Sequence, residues 1–398
     1  MANLAQIMEL DKQYYMNTFG LRKPVAFERG EGLYLYDTEE NKYTDMFAGI
    51  AVSALGHCHP DLVAAVKAQA DKLFHTSSLY YIENQAKLAQ KIVQNSCTDR
   101  VFLANSGAEA NEGAMKLAKI YFHKQGRPDK KEIITLDHSF HGRTLATVAA
   151  TGQEKYQQPY RPLTPGFHHA KLGDFNDLLA KVNENTAAIM LEVIQGESGV
   201  RPCEETYLKQ VRALCDEKEI LLIIDEVQTA MGRCGTLFGY QLFGIEPDII
   251  TMAKALGGGL PIGAVAAKEF VAAGFEPGDH GTTFGGNPFV TAAALCVFDV
   301  MERDNIVQNA GQMGEYFYQK LADLQGQYPA IKEIRGAGLM IGVELKETCG
   351  KTVCDKLFEQ RILTGCVGDT LRILPPLIIT TAQIDEFIAA LEGILKQI

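Results

Sequence analysis

Six short runs of aliphatic and β-branched residues alternate with helical patterns between about Arg100 and Lys268. The runs are RVFLAN, EIITLD, TAAIMLEVI, ILLIID, PDIITMA and IGAVAA. Strands that alternate with helices in this way are typical of an α/β protein whose mostly parallel sheet has helices on both faces. Ligands of such sheets bind beyond the carboxyl ends of the strands. The residues that follow each run are therefore the candidates for a functional site.

The length of the chain predicts a second, smaller domain beside this sheet. A single core rarely grows past about 250 to 300 residues, and the chain has 398. The tail carries IKEIRGAGLMIGVEL and TLRILPPL, then a helix that Thr380 and Gln383 begin as a capping box. We expect a large domain over residues 61–300 and a small α+β domain over residues 301–398. Residues 1–60, with the hairpin GLYLYDTEENKYTDMFAGIAV, are expected to pack with the small domain.

The composition narrows the class of protein. The sequence is 46% hydrophobic and 22% charged, which is typical of a folded globular chain. A net charge of -11 without a Lys/Arg cluster argues against nucleic-acid binding. The nine cysteines are odd in number and lack CxxC spacing, which favours reduced thiols in the cytoplasm. The N-terminus has no signal-peptide pattern and no apolar run is long enough to span a membrane, so we expect neither export nor a membrane partner.

An acid and a lysine follow two of the aliphatic runs. Asp225 ends ILLIID, and Lys254 follows PDIITMA directly ahead of ALGGG. A lysine after a strand is usually a surface residue. A desolvated amine that shares a strand-end cleft with a buried carboxylate is instead suited to forming an imine with a carbonyl compound.

Two further strand ends carry groups that bind anions or flat rings. Ser106, Gly107 and Ala108 join RVFLAN to a helix, and the N-H groups of a helix N-terminus attract phosphate. Phe140 and Arg143, in SFHGRT, offer a face for a ring and a fork for a carboxylate. Taken alone, the first pattern is more often a plain turn and the second a packed ring beside a surface arginine.

Two remaining groups of titratable residues have less specific patterns. His138 and His141 lack a third ligand at metal spacing, so we expect no metal site. Glu192 and Glu197, in LEVIQGESGV, follow another run. A solvated glutamate is the default for each, but one of them is expected to face the cleft.

One cofactor accounts for the lysine, the buried acid, the helix N-terminus and the aromatic ring together. An aldehyde that joins Lys254, a pyridine nitrogen that meets Asp225, a phosphate at the helix N-terminus and a ring on Phe140 together describe pyridoxal phosphate. A carboxylate at Asp225 favours the protonated ring nitrogen, and that protonated ring is the electron sink. The pattern therefore predicts a pyridoxal-phosphate enzyme.

Six ordered motifs carry a resemblance to a known family. They are SGAEANE, SFHGRT, IIDEVQT, TMAKALGGGLPIGA, TTFGGNP and LRILPPL. Together they resemble the class III aminotransferases of pyridoxal-phosphate fold type I, and most of all the members that act on acetylornithine. The resemblance runs from about Phe19 to the C-terminus. Ser53, Ala230 and Cys234 depart from the usual pattern, and none of them removes a catalytic atom.

The resemblance implies a role for each cofactor contact. Lys254 would be the Schiff-base lysine and proton shuttle, and Asp225 the partner of the pyridine nitrogen. Val227 would pack behind the ring, and Gln228 would reach its phenolic oxygen. The full set implied for the cofactor is Ser106, Gly107, Ala108, Phe140, Asp225, Glu226, Val227, Gln228, Lys254 and Thr283.

The resemblance also implies the substrates and a homodimer. Arg143 would bind the substrate α-carboxylate near Thr282, and Arg372 would bind a carboxylate of 2-oxoglutarate or glutamate. Glu197 would pair with Arg372 when the amine donor has no carboxylate there. Thr283 would reach the phosphate of a neighbouring subunit. The implied reaction moves the δ-amino group of N-acetylornithine to 2-oxoglutarate, giving N-acetylglutamate 5-semialdehyde and glutamate in arginine biosynthesis.

Other functions stay open on the sequence alone. Ornithine, succinylornithine or 4-aminobutyrate could replace acetylornithine, because two arginines and a glutamate gate serve them too. A glutamate semialdehyde aminomutase would leave Arg372 without its role. A nicotinamide dehydrogenase would need GxGxxG after the first strand of the sheet and would leave Lys254 and Asp225 unexplained. A non-catalytic binding protein of this fold would be expected to have lost one of those two residues.

Overall fold

A computed structural model describes residues 3–346 and 348–397. The N-terminal segment contains a helix, three strands and one short turn of helix. Their bounds are α1 (Leu4–Tyr14), β1 (Phe27–Glu31), β2 (Tyr34–Asp37), β3 (Lys42–Asp45) and α2 (Ala48–Ala51). The three strands form an antiparallel meander, in which β2 pairs with both β1 and β3. The hairpin predicted from GLYLYDTEENKYTDM is therefore confirmed as β2 and β3.

The large domain is built on a seven-stranded sheet. Its elements are α3 (Pro60–Ala70), α4 (Glu83–Gln94), β4 (Arg100–Ala104), α5 (Gly107–Lys124), β5 (Glu132–Leu136), α6 (Leu145–Ala150), α7 (Glu154–Gln157), β6 (Phe167–Ala170), α8 (Phe175–Lys181), β7 (Thr186–Leu191), β8 (Ile194–Gln195), β9 (Arg201–Pro202), α9 (Glu205–Lys218), β10 (Leu221–Asp225), β11 (Ile249–Met252), β12 (Gly263–Ala267), α10 (Glu269–Ala272) and α11 (Pro288–Arg303). Short 3-10 helices cover Gln158–Tyr160, Gly239–Phe243 and Lys254–Gly257.

The strand order of the large sheet is β4-β12-β11-β10-β7-β5-β6. Only β12 runs antiparallel to its neighbours, so the sheet is mostly parallel, as predicted. Strands β7, β10 and β11 are buried along their whole length, which explains why they appear as continuous aliphatic runs. All six predicted strands are present. The edge strand β6 was not predicted, because its sequence FHHA has no aliphatic run.

The C-terminal part forms the small α+β unit expected from the sequence. Its elements are α12 (Ile306–Gln327), β13 (Ile331–Ala337), β14 (Met340–Leu345), α13 (Cys349–Glu359), β15 (Ile362–Leu363), β16 (Gly365–Val367), β17 (Thr370–Ile373) and α14 (Thr381–Leu395). Strands β13, β14, β17 and β16 form an antiparallel sheet in that order. The capping box of Thr380 and Gln383 begins α14 as predicted.

The N-terminal segment joins the C-terminal part through a shared sheet. Strand β15 pairs in parallel with β3, placing Ile362 opposite Thr44. The segment after β17 is tied to the same region, since Leu374 N-H donates to Met46 O at 2.8 Å. The two ends of the chain therefore build one structural unit, while the residue boundaries between domains remain a prediction.

The short element α2 is a left-handed turn. Its φ angles are +48° at Ala48, +64° at Gly49, +66° at Ile50 and +60° at Ala51. L-residues pay roughly 1 to 2 kcal/mol each in this conformation. The carboxylate of Asp45 begins the turn, because its Oδ1 accepts from the N-H groups of residues 47 and 48 at 2.9 Å each. Sequence periodicity gave no indication of this turn.

Within the described residues, none of the helices combines the length and the apolar character needed to cross a membrane.

Candidate active site

The carboxyl ends of five strands, β4, β5, β7, β10 and β11, surround one cavity of about 480 Å³. The loops after these strands supply most of its lining. Ten of the residues predicted for the site line it: Ser106, Gly107, Ala108, Phe140, Arg143, Glu197, Asp225, Val227, Gln228 and Lys254. The large-domain sheet therefore gathers in one place side chains that are more than a hundred residues apart in sequence.

Asp225 ends β10, and its side chain is buried, with 3% exposure. Its Oδ2 accepts from Asn111 Nδ2 and from His141 Nδ1, both at 2.8 Å. Its Oδ1 accepts from Val227 N-H at 3.0 Å. Thr251 Oγ1 also lies 3.5 Å from Oδ1, but its single hydrogen is donated to Asn111 Oδ1 at 2.6 Å. A carboxylate has about four lone-pair positions, so Asp225 can accept a further bond from a ligand in the cavity. The neighbours also fix the direction in which the carboxylate points.

His141 is buried behind this carboxylate. Burial lowers the pKa of His141, but the hydrogen bond and charge of Asp225, with the charge of Glu192, outweigh this, so the pKa is raised above its ordinary value. Its Nε2 has no partner among the described residues. The raised pKa favours the protonated imidazole, which donates its hydrogen bond to Asp225 in this buried position.

Lys254 follows β11 as the first residue of a 3-10 turn and has a φ of +46°. Its amine forms no hydrogen bond or ion pair with the described part of the chain. Burial lowers the pKa of Lys254, and the charge of Glu197 opposes this only in part. An amine with a lowered pKa is unprotonated more often at neutral pH and is a better nucleophile and base.

The N-terminus of α5 opens into the cavity. Ser106 caps it by accepting from Glu109 N-H at 3.2 Å. The N-H groups of Gly107 and Ala108 donate to none of the described residues. A side chain at position 107 would place its Cβ 2.9 Å from a methyl group of Val227, so glycine permits this close approach. The free N-H groups and the helix dipole form a site for an anion.

Phe140 and Arg143 line the side of the cavity after β5. The ring of Phe140 meets Tyr156 edge to face at 5.8 Å between centroids. The guanidinium of Arg143 stacks over Tyr156 at 4.0 Å from the ring centroid. Arg143 is exposed and forms no ion pair within the described residues. Its fork is therefore available to a carboxylate that enters the cavity.

Arg372 reaches the site from β17 of the small sheet and is 3% exposed. Its Nη1 and Nη2 donate to Glu197 Oε2 and Oε1 at 3.1 and 2.9 Å, a two-point ion pair. Gln228 joins both partners: its Nε2 donates to Glu197 Oε1 and its Oε1 accepts from Arg372 Nη2, each at 3.2 Å. Burial alone would raise the pKa of Glu197, but Arg372 and Lys254 lower it below its ordinary value.

Glu192 holds two parts of the site together. One carboxylate oxygen accepts from Phe140 N-H at 2.9 Å and the other from Gly196 N-H at 3.1 Å. Burial raises the pKa of Glu192 to about 7, since the opposing effects of His141 and of these N-H groups are smaller. A Cβ at position 196 would lie 2.0 Å from the amide oxygen of Gln228, so the adjacent glycine is needed for the position of that side chain.

Four predicted site residues, Arg372 among them, lie outside the cavity lining. The carboxylate of Glu226 faces the protein interior, where it accepts from Thr229 Oγ1 and from the N-H groups of Gly239 and Tyr240 at 2.5, 2.8 and 2.7 Å. This places the Glu226 side chain away from the predicted cofactor position. Thr282 accepts from Asn105 Nδ2 at 3.2 Å, and Thr283 is exposed beside it.

Sequence reasoning missed Asn111 as a partner of Asp225 and considered His141 only as a metal ligand. Asn111 also receives a hydrogen bond from Thr251 Oγ1 at 2.6 Å. It lies one helical turn after Gly107, between small residues on a buried face of α5. A lone amide at helical spacing behind an anion-binding turn is the signal that could have identified it. The described residues contain no cluster of three or more His, Cys, Asp or Glu arranged around a metal position.

These residues fit pyridoxal phosphate. A buried carboxylate, a free pair of helix N-terminal N-H groups and an amine with a lowered pKa line one cavity. Phe140 and Val227 line it as well and could contact the faces of a ring.

The comparisons with known proteins define the class. The sequence profile of the family described as Aminotransferase class-III matches residues 16–395. The chain therefore belongs to the class III aminotransferases, and it is a transaminase that depends on pyridoxal phosphate.

Particular relatives narrow the comparison further. The chain is 48% identical over 396 residues to an acetylornithine aminotransferase of Methanocaldococcus jannaschii, covering 98% of both chains. It is 47% identical to that of Methanothermobacter thermautotrophicus, covering 99% of both. Among solved structures, it is similar to an acetylornithine aminotransferase of Elizabethkingia anophelis, with a TM-score of 0.89, 31% identity and full coverage of both chains. It is also similar to the ornithine aminotransferase of Toxoplasma gondii, with a TM-score of 0.95, 32% identity and coverage of 100% and 96%.

Proposed function

We propose that this chain transfers the δ-amino group of N-acetylornithine to 2-oxoglutarate, giving N-acetylglutamate 5-semialdehyde and glutamate. One observation supports the transfer from an amine whose carboxylate is distant from the reacting carbon: of the two arginines at the site, Arg143 is open and Arg372 is paired with Glu197. Relatives at 47 to 48% identity carry the name acetylornithine aminotransferase. That name places the reaction in arginine biosynthesis.

Five features of the cavity would hold the cofactor. The N-H groups of Gly107 and Ala108 would bind the phosphate, and Asp225 would hold the pyridine nitrogen. Phe140 and Val227 would contact the two faces of the ring. When bound, pyridoxal phosphate supplies a carbonyl carbon for the amino group and a ring that withdraws electrons from it. The buried imidazole of His141 would hold the Asp225 carboxylate in place for the ring nitrogen through its hydrogen bond to Oδ2.

Lys254 would move the proton. Its amine is free of partners in the described residues and has a lowered pKa, so its Nζ can accept a proton from the amine-bearing carbon and later donate it from the same position. The charges of Glu197 and Asp225 oppose in part the effect of burial, which favours the neutral amine. The same nitrogen can therefore act as base and then as acid.

The two arginines would bind the carboxylates of the two substrates. Arg143 would bind the α-carboxylate of the amine donor at the open side of the cavity. The carbon that bears the δ-amine carries no carboxylate, so Glu197 would stay on Arg372 during that half-reaction. The α-carboxylate of 2-oxoglutarate would then displace Glu197 and form a two-point pair with Arg372, while its far carboxylate takes the place at Arg143.

The charges of the cavity favour an acylated donor over free ornithine. The three carboxylates in the lining are Asp225, Glu192 and Glu197. Glu192 and Glu197 already have their own partners, and the open position of Asp225 would be taken by the cofactor. The α-ammonium of ornithine, next to Arg143, would find no open carboxylate among these. Acetylation removes that charge and its desolvation penalty.

We also infer a homodimer with shared sites. Thr283 is exposed beside Phe284, which is 61% exposed. The neighbouring Thr282 lines one surface depression with Tyr81, which is 107% exposed and follows Leu79 and Tyr80 at 87% and 68%. An apolar surface of this kind is characteristic of a protein interface. Thr283 of a second copy would then complete the phosphate site. None of the nine cysteines forms a disulfide, which supports a cytoplasmic setting.

Steady-state rates with N-acetylornithine, succinylornithine, ornithine and 4-aminobutyrate, each with 2-oxoglutarate, test the proposal. We expect kcat/KM for N-acetylornithine to exceed that for ornithine by at least about tenfold, because one uncompensated charge is worth more than about 1.4 kcal/mol. The Lys254→Ala variant is the inactive control for these rates. A value for ornithine or 4-aminobutyrate equal to that for N-acetylornithine would refute the assignment of the donor.

A further inference from the structure

Arg233 is among the largest side chains of the protein that are fully buried, with 1% exposure. It lies in the loop between β10 and the 3-10 turn Gly239–Phe243. A single nitrogen of its guanidinium, Nη1, donates to Pro375 O at 2.6 Å and to Leu339 O at 3.0 Å. Its own backbone carbonyl accepts from Leu339 N-H at 3.0 Å. The side chain therefore joins three segments that are distant in sequence.

The guanidinium has no carboxylate partner in the parts of the chain that the structure describes. Its Nε and Nη2 are buried there without any hydrogen-bond acceptor. Burial lowers the pKa of Arg233 to about 10, against small opposing effects of Cys234 and Asp45. A buried charge without a counter-ion destabilises a fold, and an apolar side chain of similar volume is often at least as stable in such a place. Stability alone therefore does not explain an arginine at this position.

The contacts of Arg233 lead to Arg372 by two routes. Pro375 follows Arg372 by three residues, directly after β17. Leu339 lies in the turn between β13 and β14, and β14 pairs with β17 so that Gly342 is opposite Arg372. In this register Leu339 and Pro375 lie opposite each other at one end of the β14–β17 pair, so one side chain is hydrogen-bonded to the backbone of both strands there.

The other side of the contact belongs to the large domain. The loop that carries Arg233 begins directly after Asp225 and continues through Gln228, which itself contacts Arg372. The fit is close, because a Cβ at Gly338 would lie 2.5 Å from the carbonyl carbon of Cys234. Arg233 therefore connects the loop that follows Asp225 with the two strands β14 and β17, the second of which carries Arg372.

We propose that Arg233 is a positioning residue that fixes Arg372 at its distance from Asp225, and that it thereby sets the affinity of the site for dicarboxylates. The inference rests on the proposed function, in which Arg372 binds a carboxylate of 2-oxoglutarate. Arg233 lies outside the cavity lining and would nevertheless take part in substrate selection. A change at Arg233 should affect the dicarboxylate half-reaction more than the amine-donor half-reaction, in which Arg372 is already held by Glu197.

The test compares Arg233→Met with a matched control, Arg212→Met, in the holoenzyme. Arg212 is also largely buried, but it pairs with Asp216 and Asp248 at 2.8 and 2.9 Å. Asp248 precedes β11 and accepts from Leu222 N-H of β10, so this pair lies at the edge of the sheet opposite the site. Glutarate, which has both carboxylates of 2-oxoglutarate and cannot react, is titrated by calorimetry. Melting temperatures and single-turnover rates of both half-reactions complete the comparison.

We expect Arg233→Met to melt at or above the wild-type temperature and to bind glutarate about 10- to 100-fold more weakly, since a displacement of about 1 Å can have that effect. Its rate with N-acetylornithine should change less than about threefold, a shift below about 0.7 kcal/mol. Arg233→Lys should recover part of the affinity, because one nitrogen makes both native hydrogen bonds. Arg212→Met should melt lower with unchanged glutarate affinity.

Three outcomes would overturn the positioning role. They are unchanged glutarate affinity in Arg233→Met, equal losses in both half-reactions, and a fall in melting temperature as large as that of Arg212→Met without recovery in Arg233→Lys. Failure of the proposed function is recognised separately. In that case wild-type protein does not bind glutarate, or binds it equally well after Arg372→Met.

Discussion

The carboxylates of the cavity each depend on a different kind of partner. Asp225 is held by an imidazole and an amide, Glu192 by two backbone N-H groups and Glu197 by a guanidinium. Of these partners, only Arg372 can exchange its carboxylate for that of a substrate. The three side chains are therefore expected to respond differently to substitution.

Glu197→Ala should impair one half-reaction selectively. Removing one partner of a buried, hydrogen-bonded charge pair typically costs about 2 to 5 kcal/mol. Arg372 would be left open, so the N-acetylornithine half-reaction should slow while the glutamate half-reaction is unchanged or faster. Single-turnover spectra with each donor measure this. Glu204→Ala, at an exposed position of the following loop, is the control, and equal losses in both half-reactions would assign Glu197 a structural role.

Glu192→Gln should change the pH dependence of stability. The pKa of Glu192 is raised from 4.5 to about 7 by burial, against the effect of His141 and together with that of Asp225. The folded state thus holds a proton that the unfolded state releases above about 4.5, so this stabilisation is complete at low pH and is lost as pH rises through about 7. Melting temperatures from about pH 5 to pH 8 should fall more steeply for wild type than for Glu192→Gln. Parallel curves would exclude such a protonated glutamate.

Residues with a strong local pattern were predicted, and residues that act only through tertiary contacts were not. Asp225 and Lys254 stand at the ends of aliphatic runs, where a polar side chain is conspicuous. Asn111 lies within an ordinary helical pattern, and its pairing with Asp225 depends on the packing of α5 against β10. The sequence suggested that Glu226 faces the cofactor, but a strand end alternates its faces and that side chain turns inward.

At the scale of elements, the left-handed turn α2 brings the N-terminal segment to the site. It places Val52 in the cavity lining and Phe47 beside Arg372, whose Cζ lies 5.3 Å from the ring centroid. The turn is held by two hydrogen bonds to Asp45, whose other oxygen is 2.8 Å from His57 Nε2. The surrounding structure thus maintains a backbone conformation that its own residues disfavour.

Ile50→Asn should stabilise the protein. Asparagine tolerates the left-handed conformation better than a β-branched residue, so relief of about 1 kcal/mol is expected, or roughly 1 to 3 °C in melting temperature. Leu179→Asn is the control, because Leu179 has the same 42% exposure as Ile50 but lies in the right-handed helix α8. That variant should melt lower. Equal decreases in both variants would show that Ile50 carries no strain.

The elements that the sequence predicted correctly are those whose burial produces a pattern. The central strands are buried on both faces and therefore consist of aliphatic runs. The turn at residues 48–51 has no such pattern, because its conformation comes from Asp45 and from the pairing of β3 with β15. Strand β6 was missed because it lies at the sheet edge and carries two histidines.

At the scale of the whole molecule, the shared site can be tested with mixed dimers. Lys254→Ala and Thr283→Glu chains should each be inactive, but a hybrid dimer would contain one intact site. Random assortment at equal amounts should restore about one quarter of wild-type activity. Lys254→Ala mixed with Asp225→Ala is the control, since both groups line the cavity of one chain and no hybrid site is intact. Absence of rescue, with subunit exchange verified by mass, would contradict sharing.

The domain arrangement could be inferred from the order of strands and helices, but the partner surface could not. Leu79 and Tyr81 are highly exposed although the sequence around them is not unusual in composition. Exposure of an apolar side chain is a property of the folded surface. Only the resemblance of TTFGGNP to its family predicted that a second chain takes part.

The pairing of β3 with β15 also affects how the protein is made. Thr44 and Ile362 are separated by roughly 300 residues, and a ribosome adds about 5 to 20 residues per second. The outer edge of β3 therefore emerges into the cell roughly 15 to 60 s before its partner strand has been translated. During that time the N-terminal meander has an unpaired edge to which another nascent chain can add a strand. Factors that shield such edges during translation are thus expected to influence the yield of the protein more than its final stability.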